Sequence, residues 1–308
     1  MMDTGDAIVT LFSGDYDIGV AALANSLYRV GFRGTIWAGY RGAGAPWARP
    51  LVKKDGYTEF SPCEGLNIAF VPVQTDWHFT NYKPFLMTDV WTRLAPDAER
   101  LFFFDPDITV QCRWQFFRDW ASESIAVCED ANSPMDTSHP VRSWWRRYFL
   151  EQGIQLPNAV DNFANAGFIG VPRRHIAFLE EWKRAIQIVG RQPGALASLY
   201  MGDRTNPINV PDQDALNIAI MGTAVPVSWI GRDAMDFIAG SIMSHAIGAK
   251  KPWHGRFIAD VVRGRRVTRA EQRFIQNASG PIRPRSAARL LWWRFEAWMA
   301  RILGRLVA

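Results

Sequence analysis

Cysteine is scarce in this chain. Cys63, Cys112 and Cys128 are the three among 308 residues, an odd number with no C-x-x-C pair. That argues against a disulfide framework or a thiolate zinc site and fits reduced thiols in a reducing compartment. Long apolar runs are missing as well. No stretch approaches the ~20 residues that a spanning helix needs. Met1 to Asp6 carries two acids and no base, and the apolar run Ala7 to Phe12 behind it is too short for the core of a signal peptide. The expectation is a cytoplasmic protein. Internal repeats and low-complexity tracts are also lacking, which argues against a solenoid. What is present is the composition of a globular protein, 48% hydrophobic and 21% charged. The length suits one large or two small domains of about 150 residues each, enough to bury a core without staples.

Charge is unevenly spread. Of the 35 Lys and Arg and 30 Asp and Glu, residues 250–308 hold 14 bases and 3 acids, a balance of +11, while the preceding 249 residues balance at −6. An acidic body gives no platform for nucleic acid, and a basic tail points to an anionic partner.

Hydrophobic periodicity alternates between strand and helix. Strands are expected at Ala7–Phe12, Thr35–Tyr40, Ile68–Val73, Leu101–Phe104, Ser124–Cys128 and Gly167–Val171. Helices are expected at Val20–Val30, Lys83–Leu94, Arg174–Val189 and Gln213–Met221. This order describes an α/β domain with a mostly parallel central sheet. Ligands of such sheets bind outside the carboxyl ends of the strands. That rule points at Ser13-Gly14-Asp15-Tyr16, Asp105-Pro106-Asp107 and Glu129-Asp130.

Asp105-Pro106-Asp107 follows the aromatic run Leu101 to Phe104. Two carboxylates two residues apart in extended geometry would face the same side and could share a hard divalent cation, which can also bridge a diphosphate. The same tripeptide is good turn chemistry. His245-Ala246-Ile247-Gly248-Ala249-Lys250-Lys251-Pro252-Trp253 offers an imidazole to complete a metal site and a lysine to neutralise phosphate. Gly248 there would let backbone approach a phosphate closely. Read blandly, it is a basic surface loop with a packed tryptophan.

Together these segments resemble the nucleotide-sugar glycosyltransferases of family 8, the group containing glycogenin and bacterial lipopolysaccharide galactosyltransferases. The family's H-x-x-G-x-x-K-P-W is matched at His245, Gly248, Lys251, Pro252 and Trp253, and its D-x-D at Asp105 and Asp107. A D-Q-D-x-L-N element stands at Asp212, Gln213, Asp214, Leu216 and Asn217, and N-A-G at Asn165, Ala166 and Gly167. The resemblance spans about Ile8 to Trp253. It implies a GT-A fold, a UDP-sugar donor, Mn²⁺ or Mg²⁺ held by Asp105, Asp107 and His245, and transfer with retention of anomeric configuration. It further implies that Lys251 and Gly248 contact the diphosphate, that Tyr16 stacks on uracil, and that Phe12 and Ser13 line the base and ribose pocket. Lys83 stands near the place of a family arginine or lysine beside the donor. Asp212, Gln213 and Asn165 would face the sugar as catalytic groups. After N-A-G the chain runs into Pro172-Arg173-Arg174, where asparagine is commoner in the family.

The expected organisation is a GT-A domain over residues 1–258 and a basic helical extension over 259–308. From Arg285 to Val307, Leu291, Phe295, Trp298, Met299, Ile302 and Leu306 fall on one helical arc beside Arg294, Arg301 and Arg305. Such a helix can lie in a membrane interface or dock on the domain. Contact with an anionic membrane surface on its inner, cytoplasmic face is the expectation, with a saccharide or lipid-linked acceptor. Met135 to Tyr148, with Trp144 and Trp145, is read as an amphipathic packing helix in preference to an acceptor wall. Rival readings are a nucleotidyltransferase, which has no need of the His245-to-Trp253 element, and a membrane-recruited scaffold, which has no need of an intact carboxylate–histidine set.

Overall fold

A computed structural model describes residues 5–202 and 206–306. Nine strands form one sheet in the order β10-β8-β9-β6-β1-β2-β5-β4-β3. In chain order these are β1 (Asp6–Ser13), β2 (Gly34–Arg41), β3 (Val52–Lys53), β4 (Thr58–Cys63), β5 (Leu66–Pro72), β6 (Arg100–Phe104), β8 (Ile125–Glu129), β9 (Ala164–Pro172) and β10 (Val227–Ile230). A separate ribbon pairs β7 (Ile108–Val110) with β11 (Met243–His245). β1 runs parallel to β2 and β6, β2 to β5, and β8 to β10. β9 runs antiparallel between β6 and β8, and β4 antiparallel beside β5. The sheet is thus mostly parallel, as expected.

The central strands read as continuous apolar runs because both faces of the sheet are covered. Along β1, Ala7, Val9 and Leu11 enter one core with Trp37, Leu86, Trp91 and Ile186. Ile8 and Phe12 enter the other with Leu23, Leu27, Phe102 and Phe104. Helices α1 (Asp17–Arg29), α2 (Lys83–Asp89), α3 (Trp114–Trp120), α4 (Pro140–Glu151), α5 (Ala177–Val189) and α6 (Pro211–Gly222) connect the strands. α2 is shorter than the expected Lys83–Leu94 because residues 90–94 widen into a π turn, with the Ala95 N–H donating to the Val90 carbonyl. α4 packs on the body: Trp145 is buried with its indole donating to the Pro207 carbonyl, and buried Arg142 donates to the Met135 and Asn162 carbonyls.

Beyond the ribbon come α7 (Phe257–Val262), α8 (Arg269–Asn277) and α9 (Ala287–Leu306). α8 opens with a reciprocal capping box between Thr268 and Glu271. Ile18 and Ala22 of α1 share a small core with Trp253, Phe274, Leu290 and Trp293. The extension therefore packs on the body. Val307, the last residue of the expected tail helix, lies outside the described residues. The three cysteines are free, and burial pushes the Cys128 thiol well above its ordinary range. Among the described residues no helix is long and apolar enough to cross a membrane.

Candidate functional site

The carboxyl ends of β1, β6 and β8 and the start of antiparallel β9 meet at one edge of the sheet, and a cavity of about 360 Å³ opens there. It is lined by Phe12, Ser13, Tyr16, Lys83, Asp105, Asp107, Asn165, Asp212, Gln213, His245 and Lys251. One sequence-derived candidate is missing from that lining. Gly248 sits in the exposed stretch 247–250.

Asp105 and Asp107 are not in extended geometry. β6 ends at Phe104, and a tight turn closes with the Ile108 N–H on the Asp105 carbonyl at 3.0 Å before β7 begins. Turn chemistry and a shared site for two carboxylates are therefore the same feature. β7 pairs antiparallel with β11 so that His245 lies opposite Ile108, and the Ala246 N–H donates to the Asp107 carbonyl. This ribbon joins the two motifs that the sequence separates most widely. Gly19 of α1 lets the helix approach the turn, since a Cβ there would lie 2.5 Å from the Pro106 carbonyl oxygen.

The side chains converge tightly. His245 Nε2 is 3.2 Å from Asp107 and 3.8 Å from Asp105. One ligand atom from each of Asp105, Asp107 and His245 fits within 4.8 Å of the others. Lys251 Nζ lies 2.7 Å from Asp107 and 3.0 Å from the Ala246 carbonyl. Lys83 Nζ, fully buried, bridges Asp105 at 3.1 Å and Asp212 at 2.9 Å and donates to the Ala166 carbonyl at 2.9 Å. Burial opposes the charge on Lys83, but Asp105 and Asp212 more than reverse this and hold its pKa above the ordinary lysine value. Lys251 behaves alike, with Asp107 outweighing burial. Burial raises Asp105 despite Lys83 and His245. For Asp107, burial is outweighed by His245 and Lys251, and its carboxyl titrates below the usual range. Two carboxylates and an imidazole facing one point are a donor set that fits a divalent cation. The buried Nδ1 of His245 has no protein partner. Gly167 passes so close that a Cβ there would lie 2.5 Å from His245 Cε1.

Conserving the strand edge falls to the other motifs. Asn217 clamps Ala164, accepting from its N–H and donating to its carbonyl. Gln213 Oε1 accepts from the Ala166 N–H at 3.3 Å. Asn165 donates to Asp130 at 2.7 Å and accepts from the Gly167 N–H at 2.9 Å. Among the described residues, one buried oxygen of Asp212 has no protein partner. Tyr16 packs edge-on against Trp253 with centroids 5.0 Å apart, and the Trp253 indole donates to Asp15. Sequence reasoning missed Arg41, His78, Asn132 and Tyr200, which also line the cavity. Arg41 ends β2 and could have been found by the strand-end rule; His78 stands in a loop without any motif.

No protein-family model and no curated protein matches the chain. Solved structures do. The fold is similar to that of the bifunctional glycosyltransferase WbbM in its apo form, with TM-score 0.53 and 15% identity over 98% of this chain and 52% of that one. It is similar to the glycosyltransferase GlyE of Streptococcus pneumoniae TIGR4, with TM-score 0.55 and 13% identity over 94% and 63% of the two chains. It is also similar to the galactosyltransferase LgtC, solved with donor and acceptor sugar analogues, with TM-score 0.52 and 15% identity over 94% and 99%. The chain thus spans about half of WbbM and under two thirds of GlyE. The fold is that of these GT-A-like glycosyltransferases.

Proposed function

We propose that the chain is a metal-dependent glycosyltransferase that takes a hexose from a UDP-sugar and passes it to a saccharide or glycolipid acceptor, with retention of anomeric configuration. The observation that carries this reading is the convergence of Asp105, Asp107 and His245 with two lysines in one cavity at the carboxyl edge of the sheet. The fold supports it, and the resemblance supplies the donor class and the stereochemistry.

In this reading Asp105, Asp107 and His245 hold Mn²⁺, or Mg²⁺ in its place. A cation bound there supplies positive charge beside the diphosphate, where negative charge grows as the anomeric C–O bond breaks. Lys251, held charged by Asp107, adds a second cation to the same leaving group. Phe12, Ser13 and Tyr16 form the wall for base and ribose, and Lys251 Nζ lies 5.9 Å from the Tyr16 ring. Gly248 stands between Ile247 and Lys251, both of which line the cavity, and on this reading its backbone would approach the diphosphate from that rim. On the sugar side, Gln213 and Asn165 have their carbonyl oxygens engaged by backbone. Among the described residues one Asp212 oxygen has no partner, so on this reading Asp212 is the better placed of the three to meet a sugar hydroxyl or the developing positive charge at the anomeric carbon.

The test is release of UDP from a panel of UDP-sugars with and without Mn²⁺. Release should require the metal and be largely lost in Asp105→Asn, Asp107→Asn and His245→Ala while circular dichroism stays unchanged. NMR of the new glycosidic bond should show retention. Undiminished release in a chelator contradicts the metal site. Pyrophosphate release from a nucleoside triphosphate points to a nucleotidyltransferase, and inactivity with every donor points to a scaffold.

A further inference from the structure

Both faces of α9 are apolar, and among the described residues only one is covered. Leu290, Trp293, Ala297 and Ala300 recur at helical spacing and are buried, the first two against Trp253 and Phe274, the last two against Phe257 and Val261. The opposite arc carries Leu291, Trp292, Phe295 and Trp298, exposed by 64, 51, 48 and 56%. Their rings touch in series, Trp292 to Phe295 at 5.8 Å and Phe295 to Trp298 at 6.3 Å between centroids. Single exposed apolar residues are ordinary, but a contiguous aromatic strip is not. Docking on the domain and an outward apolar face are therefore both true of this helix, on different sides.

Within residues 250–308 the exposed charge has one sign. The three acids of residues 250–308 are Asp260, Glu271 and Glu296, and all three are buried. Asp260 is held by Lys250 and Arg265, Glu271 by Arg265 and Thr268, and Glu296 accepts from the Ile258 N–H. Arg283, Arg285, Arg289, Arg294 and Arg301, by contrast, are exposed, although Arg294 also donates to the Ser279 hydroxyl and Arg285 lies near enough to Asp17 to favour its charged form. Among the described residues, no carboxylate of this segment reaches the surface to offset them.

We propose that the outer face of α9, with the arginines around it, is a docking surface for an anionic lipid bilayer. Trp and Phe rings enter the boundary between headgroups and acyl chains, and the guanidinium groups meet lipid phosphates. Charge complementarity selects this occupant: an apolar protein groove would fill the strip but leave the cationic rim unpaired. Because Leu290 and Trp293 share a core with Trp253, docking would hold the His245-to-Trp253 element at a fixed distance from the lipid. The acceptor class this favours is a saccharide anchored in the same bilayer. That last step rests on the catalytic reading; the lipid contact does not.

The test is flotation of the full chain with vesicles of phosphatidylcholine alone, or of equal parts phosphatidylcholine and phosphatidylglycerol. The chain should float with the mixed vesicles, bind the neutral ones at least ~10-fold more weakly, and lose binding as salt rises. A Trp292→Ser/Phe295→Ser/Trp298→Ser variant should keep its melting temperature and UDP release yet lose affinity for the mixed vesicles by at least ~10-fold. Arg285→Ala/Arg289→Ala should lose about fivefold per charge and bind with a shallower salt dependence. Undiminished binding of the aromatic variant overturns the proposal, as does a wild-type chain that stays out of both vesicle fractions. So does a wild-type dimer in light scattering that the aromatic variant makes monomeric, since the strip is then an interface between copies.

Discussion

Gly167→Ala gives the sharpest check on how the proposed metal ligands are held. The new methyl carbon would lie 2.5 Å from His245 Cε1, 2.8 Å from Asn165 Oδ1 and 2.9 Å from His245 Nδ1. Ordinary carbon contacts need about 3.5–4.0 Å, so roughly 1 Å must be recovered. Backbone movement is blocked, because the Gly167 carbonyl accepts from the Asp105 N–H at 2.8 Å and its own N–H donates to Asn165. The imidazole is the part that can give, and it would rotate away from the point where Asp105 and Asp107 meet. Overpacking of this kind costs about 1–3 kcal/mol of stability, and a displaced ligand costs about 10–100-fold in metal affinity. Gly248→Ala is the matched control. Its Cβ would approach nothing nearer than the Lys250 carbonyl oxygen at 3.7 Å, so fold and metal affinity should stay as they are. Mn²⁺ titration followed by electron paramagnetic resonance, alongside urea unfolding, measures both terms. Wild-type Mn²⁺ affinity in Gly167→Ala would refute the reasoning, because it would mean that His245 is not confined as the contacts require.

Lys83→Met should destabilise the fold by about 3–5 kcal/mol, because it leaves Asp105 and Asp212 buried without their shared cation; equal urea midpoints at pH 8 would contradict the bridge. Burial pushes the Asp214 carboxyl to about 7, against the two N–H groups of Asn209 and Val210 that it accepts. Since its unfolded value is about 3.9, stability present at acid pH is lost as pH rises toward and through 7, by up to about 4 kcal/mol. Asp214→Asn keeps an acceptor for both N–H groups and should remove that slope, so unfolding curves at pH 5 and 8 should diverge less than in the wild type. Trp293→Ala on the inner face of α9 should cost about 3–5 kcal/mol, whereas Trp298→Ala on the outer face should stay within about 0.5 kcal/mol; thermal melts compare them directly.

Much of this architecture could be read from sequence because the signals are local. β1, β2, β5 and β6 are apolar runs bounded by polar residues, and their positions came out within two residues. Short strands were invisible for the opposite reason. β7 and β11 have three residues each and exist only because they pair with one another across more than a hundred residues of chain. β10 is partly exposed along its whole length and carries no alternation. The Asp105-Pro106-Asp107 motif pointed to residues that line the cavity but with the wrong backbone, since the closing bond from Ile108 is a property of the turn and not of the composition. α9 was read with one functional arc, yet the arc opposite, with Leu290, Trp293, Ala297 and Ala300, is the one that docks. Periodicity finds an apolar stripe; when two stripes flank one helix, only tertiary contacts say which is covered.

The two lysines of the cavity, alike in sequence, have different capacities. An ammonium has three donors. Lys83 spends all three, on Asp105, Asp212 and the Ala166 carbonyl, and is fully buried. Lys251 spends two, on Asp107 and the Ala246 carbonyl. A phosphate oxygen reaching this site can therefore be met by Lys251 without breaking a bond, but by Lys83 only at the expense of a carboxylate. The balance of charge points the same way. Asp105, Asp107 and Asp212 exceed Lys83 and Lys251 by one negative charge, leaving His245 aside. Under the proposed function such a cluster would repel a diphosphate until a divalent cation reversed its sign. In the same proposed function Lys83 would belong to the framework that spaces the carboxylates, Lys251 would meet the donor, and a bound cation would make an acidic cavity receptive to an anionic substrate.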